Sequence, residues 1–257
     1  MTKNLFLIPN PVFKPRLRLF CFPYAGGSAT AFVPWVRHLP KDVEVVLLQP
    51  PGRGSRFSEV AHEDMLSLTS EILAEQNFIT EVPYVFFGHS LGSRVAFEVA
   101  RELQYRRLLA PLHFIASGSR APHLAEKLES IHNLSDWEFA KKLEDLNGTP
   151  KEILHNKELM QLVLPSLRAD FRIAESHVAK PEPLSCPITV FYGIEDDAVT
   201  IEKVNAWQEL SKFTINTIAF KGGHFFINEA KNQVLTTLTD ILVSANQEIK
   251  NQTALIS

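Results

Sequence analysis

Short apolar runs alternate with longer segments in which apolar residues recur every three or four positions. The runs Leu17–Phe22 (LRLFCF), Val43–Leu48 (VEVVLL), Tyr84–Phe87 (YVFF), Leu112–Ala116, Ile188–Tyr192 and Thr214–Phe220 predict interior strands. Leu5–Ile8 reads as an edge strand limited by Pro9 and Pro11. The intervening segments predict helices. One contains Phe32, Trp35 and Val36; a second spans His62–Phe78 with Met65, Leu68, Ile72 and Leu73 facing inward; a third places Ala96, Val99, Ala100 and Leu103 on one face. Ile201–Leu210 and Ile227–Val243 complete the set, and the tail from Asn246 is expected to fray. Strand and helix in strict alternation predict an α/β fold with a mostly parallel central sheet and flanking helices.

The pattern changes from about Arg120 to Leu184, where strand signals are lacking and amphipathic segments follow one another. SDWEFAKKLEDL opens on Ser135 as N-cap and ends at Asn147-Gly148, and Pro150 starts the next segment. Glu158–Glu175 is leucine-rich and is expected to bend at Pro165. This insertion, about 120–184, carries more apolar residues than one exposed face needs. It reads as a helical lid over a hydrophobic pocket, the alternative being a helical pair packed on the sheet edge.

At 257 residues, with 45% hydrophobic and 21% charged positions, the chain suits one soluble domain spanning 1–257. The net charge of −3 comes from charges dispersed along the sequence, which argues against a nucleic-acid surface or an anionic membrane as partner. No apolar stretch approaches the roughly 18 residues of a bilayer span. The N-terminal MTKNLFLIPNPVFK lacks the features of a signal peptide, so a cytoplasmic monomer is expected. The two cysteines, Cys21 and Cys186, fit neither a metal site nor a disulfide framework and read as reduced thiols, Cys21 packed inside. Arg53 and Arg56, in the loop QPPGRGSR, read as solvated cations rather than substrate contacts.

The chemistry begins at Gly88-His89-Ser90-Leu91-Gly92. A serine between glycines, with a buried strand before it and a helix after it, has the form of a nucleophile elbow. The turn exposes the hydroxyl, and Cβ atoms at the flanking positions would collide with the neighbouring strand and helix. At the start of the following helix, backbone N–H groups lack intrahelical partners and can meet developing negative charge, which makes Leu91 N–H a candidate oxyanion donor. The glycine-rich loop Pro23–Ser28 follows an early strand, and Ala25 N–H is the candidate second donor.

Two further residues follow predicted strands. Asp196, in Gly193-Ile194-Glu195-Asp196-Asp197, is the candidate acid, with Asp197 and Glu195 as alternatives. His224 sits in Lys221-Gly222-Gly223-His224-Phe225-Phe226 and is the candidate base; His89 lies inside the elbow and can point away from Ser90. The order Ser, Asp, His is that of the α/β-hydrolase fold. Acyl transfer to water needs no cofactor and no metal, and no H-E-x-x-H, G-x-x-x-x-G-K or G-x-G-x-x-G pattern is present.

Beyond the triad, FPYAGGSATAF, LQPPGRGSRF, FFGHSLGSRVAFEVA, LNGTP, LPSLRADF, FYGIEDD and GGHFF together resemble type II thioesterases, the stand-alone hydrolases of polyketide and nonribosomal peptide biosynthesis. The likeness covers about Leu19 to Asn228, with Gln49-Pro50-Pro51 and Ile194-Glu195 as small departures. It implies that Ser90, Asp196 and His224 are catalytic. It also implies a substrate that is an aberrant or stalled acyl group on the phosphopantetheine arm of a carrier protein, with lid residues such as Leu146, Leu164 and Phe171 along the acyl path. A small-molecule carboxylesterase and a medium-chain fatty-acyl thioesterase are the alternatives.

Overall fold

The apolar runs become the strands of one sheet, and their faces follow the two-residue period of extended chain. The computed structural model describes residues 5–125, 130–146 and 148–256. Its strands are β1 (Phe6–Leu7), β2 (Leu17–Phe22), β3 (Val43–Leu48), β4 (Tyr84–His89), β5 (His113–Ser117), β6 (Ile188–Gly193) and β7 (Asn216–Phe220). They lie in the order β1-β3-β2-β4-β5-β6-β7, all parallel except β1, which pairs antiparallel with β3. Leu17, Leu19 and Cys21 of β2 face one apolar layer, while Phe20 and Phe22 face the other.

The helices are α1 (Met65–Leu73), α2 (Gln76–Thr80), α3 (Leu91–Tyr105), α4 (Asp136–Asp145), α5 (Lys151–Leu154), α6 (Lys157–Ser176), α7 (Ile201–Asn205), α8 (Phe226–Glu229) and α9 (Lys231–Ile256). The residues expected to face inward from α3, namely Ala96, Val99, Ala100 and Leu103, are all fully buried. Trp35 and Phe32 pack beside α9 on the opposite face. No helix among the described residues is long and apolar enough to cross a membrane.

Several elements differ from the sequence reading. The segment holding Phe32, Trp35 and Val36 forms two short 3₁₀ turns, Ala29–Ala31 and Val33–His38, which meet at Phe32, with Pro34 in the first turn of the second. The helix expected over His62–Phe78 starts later, at Met65, because Asp64 caps it through Ser67 N–H, and it breaks between Leu73 and Gln76. Ile201–Leu210 is likewise split into α7 and a 3₁₀ turn. The tail does not fray at Asn246. That residue is buried, its amide donates to Asp42 at 2.6 Å, and α9 continues to Ile256.

Between β5 and β6 the described chain is helical, as expected. Ser135 forms a capping box with Glu138 at the start of α4, whereas Asn147, expected to help end it, lies outside the described residues. α6 runs unbroken across Pro165, which is exposed, so water can satisfy the carbonyl that a proline leaves without its N–H partner. This segment has its own apolar cluster of Ile131, Phe139, Leu143, Met160, Leu164 and Leu167. Its far end is tied to the sheet layer by Arg94 of α3, which donates to the carbonyls of Ala174 and His177, each at 2.6 Å.

Stability should depend on pH through one half-buried imidazole. His113 on β5 lies 2.8 Å from Thr189 Oγ1, and burial pushes its pKa from 6.5 down to about 4. The unfolded chain therefore binds a proton that the folded chain refuses between those values. Stability is complete above pH 6.5 and is expected to decline as pH falls towards 4, by up to about 3 kcal/mol from this group. Urea unfolding at pH 7.5 and pH 5 measures the slope. His113→Gln should flatten it, and an unchanged slope in that variant would rule out this assignment.

Candidate active site

The order in which strands are added reverses at β2: the sheet grows from it towards β3 on one side and towards β4 on the other. Loops leaving the carboxyl ends of β2 and β4 diverge and open a crevice, the position at which open α/β sheets place their sites. Ser90 leaves β4 there, and Ala25 leaves β2.

Ser90 adopts φ 54° and ψ −119°, a strained conformation for a residue with a side chain. Its surroundings over-determine it. Ser90 N–H donates to Ser117 O at 2.8 Å, and the buried Ser93 hydroxyl donates to Gly88 O at 2.6 Å. A Cβ on Gly88 would lie 2.4 Å from Gly92 O, and one on Gly92 would lie 2.1 Å from Phe22 O, so both positions require glycine.

The structure brings the three sequence candidates together. His224 Nε2 lies 2.9 Å from Ser90 Oγ, and His224 Nδ1 lies 2.7 Å from Asp196 Oδ2. An ionised carboxylate can only accept, so Nδ1–H donates to Asp196 and Nε2 is left to accept the Ser90 hydroxyl proton. Asp196 is buried and also accepts from Ala198 N–H at 3.0 Å, while Asp197 and Glu195 are exposed. Of the three adjacent carboxylates, Asp196 is the one within hydrogen-bond distance of His224. Neither Leu91 N–H nor Ala25 N–H has an acceptor among the described residues, and both residues line the same cavity as Ser90 and His224.

His89 does point away from Ser90. It is fully buried, with Nδ1 2.9 Å from Ser117 Oγ, and its ring lies among those of Tyr24, Phe225 and Phe226. Burial, and secondarily the neighbouring His224, push its pKa well down, so it stays neutral and adds no charge beside the triad. Cys21 and Cys186 are free and buried, and burial pushes both thiols up, Cys186 to about 12.

The cavity at Ser90 measures about 150 Å³ and is lined by Tyr24, Phe225 and the insertion residues Leu143, Leu146, Phe171 and Ala174. Of the three leucine and phenylalanine residues expected along the acyl path, Leu146 and Phe171 line this cavity. Leu164 does not: it is buried in the insertion's own core, because its side of α6 turns towards α4.

A second correction concerns the two arginines expected to be solvated. Both are buried. Arg56 pairs with Glu71 at 2.5 Å and Glu59 at 2.6 Å, and Arg53 forms a forked pair with Asp170 of α6. Asp170 also accepts from Gly26 N–H at 2.7 Å. The sequence did carry a signal for it. Leu164, Leu167, Phe171 and Ala174 mark the inward stripe of α6, and Asp170 interrupts that stripe with a charge. A carboxylate inside an apolar stripe requires a partner.

Comparison with known proteins agrees with this architecture. The thioesterase domain family matches residues 17–242. The gramicidin S biosynthesis protein GrsT of Aneurinibacillus migulanus is 38% identical over 231 residues, 90% of each chain. Among solved structures, the RedJ thioesterase from the prodiginine pathway of Streptomyces coelicolor superposes with a TM-score of 0.82 at 37% identity, covering 88% of this chain and 91% of its own. The type II thioesterase BorB from the borrelidin biosynthetic cluster does so with a TM-score of 0.84 at 31% identity, covering 94% and 97%. The match runs through the elbow, the helical insertion and the last strand, and on that basis this chain, a thioester hydrolase of the α/β-hydrolase fold, belongs to the thioesterase family.

Proposed function

We propose that the chain removes aberrant or stalled acyl groups from the phosphopantetheine arm of carrier proteins in polyketide or nonribosomal peptide synthetases. Ser90 is the nucleophile in this reading, His224 the base and Asp196 its orienting acid. The observation that carries it is the 2.9 Å and 2.7 Å relay opening into an apolar cavity beneath α4–α6. The chain acts as one α/β-hydrolase domain and a monomer, with residues of about 120–184 as its lid.

The steps follow from the groups present. His224 Nε2 takes the hydroxyl proton as Ser90 Oγ attacks the thioester carbonyl, and Asp196 stabilises the imidazolium. The oxygen gains negative charge between the N–H groups of Ala25 and Leu91, and losing one such donor typically costs about 3 kcal/mol. The C–S bond then breaks, and His224 returns its proton to the departing thiol. Water attacks the acyl-serine with His224 as base again, releasing the free acid and restoring Ser90. A thiolate is a better leaving group than an alkoxide, so less is demanded of His224 as acid.

The test offers acetyl- or propionyl-loaded carrier protein and a p-nitrophenyl ester side by side, with deacylation followed by mass spectrometry. A higher kcat/KM on the loaded carrier is expected. Preference for the free ester would replace this reading with a carboxylesterase.

Chain length is a further prediction. The cavity is small beside the roughly 300–1,000 Å³ of sites for drug-sized ligands, which favours short acyl groups. Phe171 lines it while its ring packs edge-on against Phe139 at 5.5 Å. Phe171→Ala should raise the octanoyl-to-acetyl ratio of kcat/KM by roughly tenfold. A ratio that stays put would show that the acyl chain lies elsewhere.

A further inference from the structure

Arg53 and Asp170 lie outside the triad, yet they grip the loop that carries Ala25. Both are buried, at 8% and 6% exposure. Asp170 Oδ2 accepts from Gly26 N–H at 2.7 Å and from Arg53 Nη1, and Asp170 Oδ1 accepts from Arg53 Nη2 at 2.8 Å. Arg53 Nη1 also donates to Gly27 O at 3.3 Å, and its Nε donates to Pro51 O at 3.4 Å. One carboxylate on α6 and one guanidinium thus hold the N–H of Gly26 and the carbonyl of Gly27, in the first and third peptide groups beyond Ala25.

Packing alone does not explain this pair. A buried ion pair loses hydration to an extent that often cancels its attraction, and an apolar pair of similar volume would seat α6 at least as well. What apolar residues could not do is hydrogen-bond the loop backbone with charge-assisted strength. Gly26 has φ +76°, a conformation open to several alternatives in a free glycine loop, and the carboxylate selects one of them. That carboxylate is carried by α6.

We infer that Asp170, held by Arg53, is a positioning residue that sets the Ala25 N–H in the oxyanion site through its grip on the Gly26 and Gly27 backbone. The inference rests on the reading of Ala25 N–H as an oxyanion donor and of Ser90 as nucleophile.

The experiment compares Asp170→Ala with Leu164→Ala in the full chain. Leu164 is buried in the core of the same helical segment, so its truncation loosens α6 without removing the carboxylate. The readouts are kcat and KM on an acetyl thioester, the Ki of a trifluoromethyl ketone analogue that forms a tetrahedral oxyanion, and the urea midpoint. Asp170→Ala should lower kcat by roughly 10- to 100-fold and weaken the ketone by the same factor, with KM within about threefold. Leu164→Ala should lower the midpoint and leave the ratio of Ki to KM near that of the wild type.

Parallel losses in the two variants, or a loss confined to KM, would make Asp170 merely structural and overturn the inference. If Asp170→Ala does not fold, Asp170→Asn and Arg53→Lys serve instead. Each breaks the fork, and wild-type kcat and Ki in both would equally overturn it. An active Ser90→Ala, or a wild type indifferent to the ketone, would sink the reading beneath. An inactive Ser90→Ala beside an unaltered Asp170→Ala would sink this inference alone.

Discussion

Ser90→Ala is expected to lower thioester hydrolysis by on the order of 10⁴- to 10⁶-fold while leaving the urea midpoint nearly unchanged. The removed oxygen makes one hydrogen bond, to His224, and the elbow is held by Ser90 N–H and by the Ser93 hydroxyl, neither of which the substitution touches. The effect therefore falls on chemistry. Asp196→Asn should lose roughly 10⁴-fold, because an amide NH₂ facing Nδ1 favours the tautomer with its proton on Nε2, which cannot accept from Ser90. Single-turnover deacylation of loaded carrier protein, with acyl-enzyme detected by intact mass, separates the two variants. A Ser90→Ala enzyme that still turns over at an appreciable fraction of the wild-type rate would remove Ser90 from the mechanism.

The second large effect is structural. In Gly92→Ala the added Cβ meets Phe22 O at 2.1 Å, Phe22 C at 2.6 Å and Pro23 O at 2.7 Å, all backbone atoms with no rotamer to yield. The start of α3 must retreat from the end of β2. Overpacking against a flexible neighbour costs 1–3 kcal/mol, and against fixed backbone the loss is expected to reach about 3 kcal/mol or more. Activity should fall in the folded fraction as well, since the retreat carries Leu91 N–H away from Ser90. Gly223→Ala provides the contrast: its Cβ meets nothing nearer than Glu195 O at 3.7 Å, so its urea midpoint should move little. Equal destabilisation in the two variants would mean that the close approach of α3 to β2 is not what requires glycine at 92.

Much of the scaffold is legible before any coordinates. LRLFCF and VEVVLL become β2 and β3 residue for residue, since interior strands of a parallel sheet are covered on both faces and read as apolar runs; the charges within them, Arg18 and Glu44, are paired in register at 2.7 Å. Short-range rules reach less far where two local preferences compete. Asp64 as N-cap outweighs the apolar periodicity that suggested a start at His62, and the residues around Pro34 form a 3₁₀ turn that the spacing alone reads as α-helical.

The harder cases turn on partners distant in the chain. Asp196, Asp197 and Glu195 are equivalent carboxylates in sequence, and the fold buries the one that His224 reaches. Arg53 and Arg56 resemble any surface cations until Asp170, 117 residues beyond Arg53, and Glu71 are folded against them. Local order, the placing of strands, caps and a strained serine, is written in spacing and in glycines because the forces behind it act within a few residues. Which charge is buried, which leucine faces the cavity and which backbone amide is held in place depend on groups that meet only after the sheet and the helical insertion have packed. No short window along the chain contains both Arg53 and Asp170, or both Asp196 and His224.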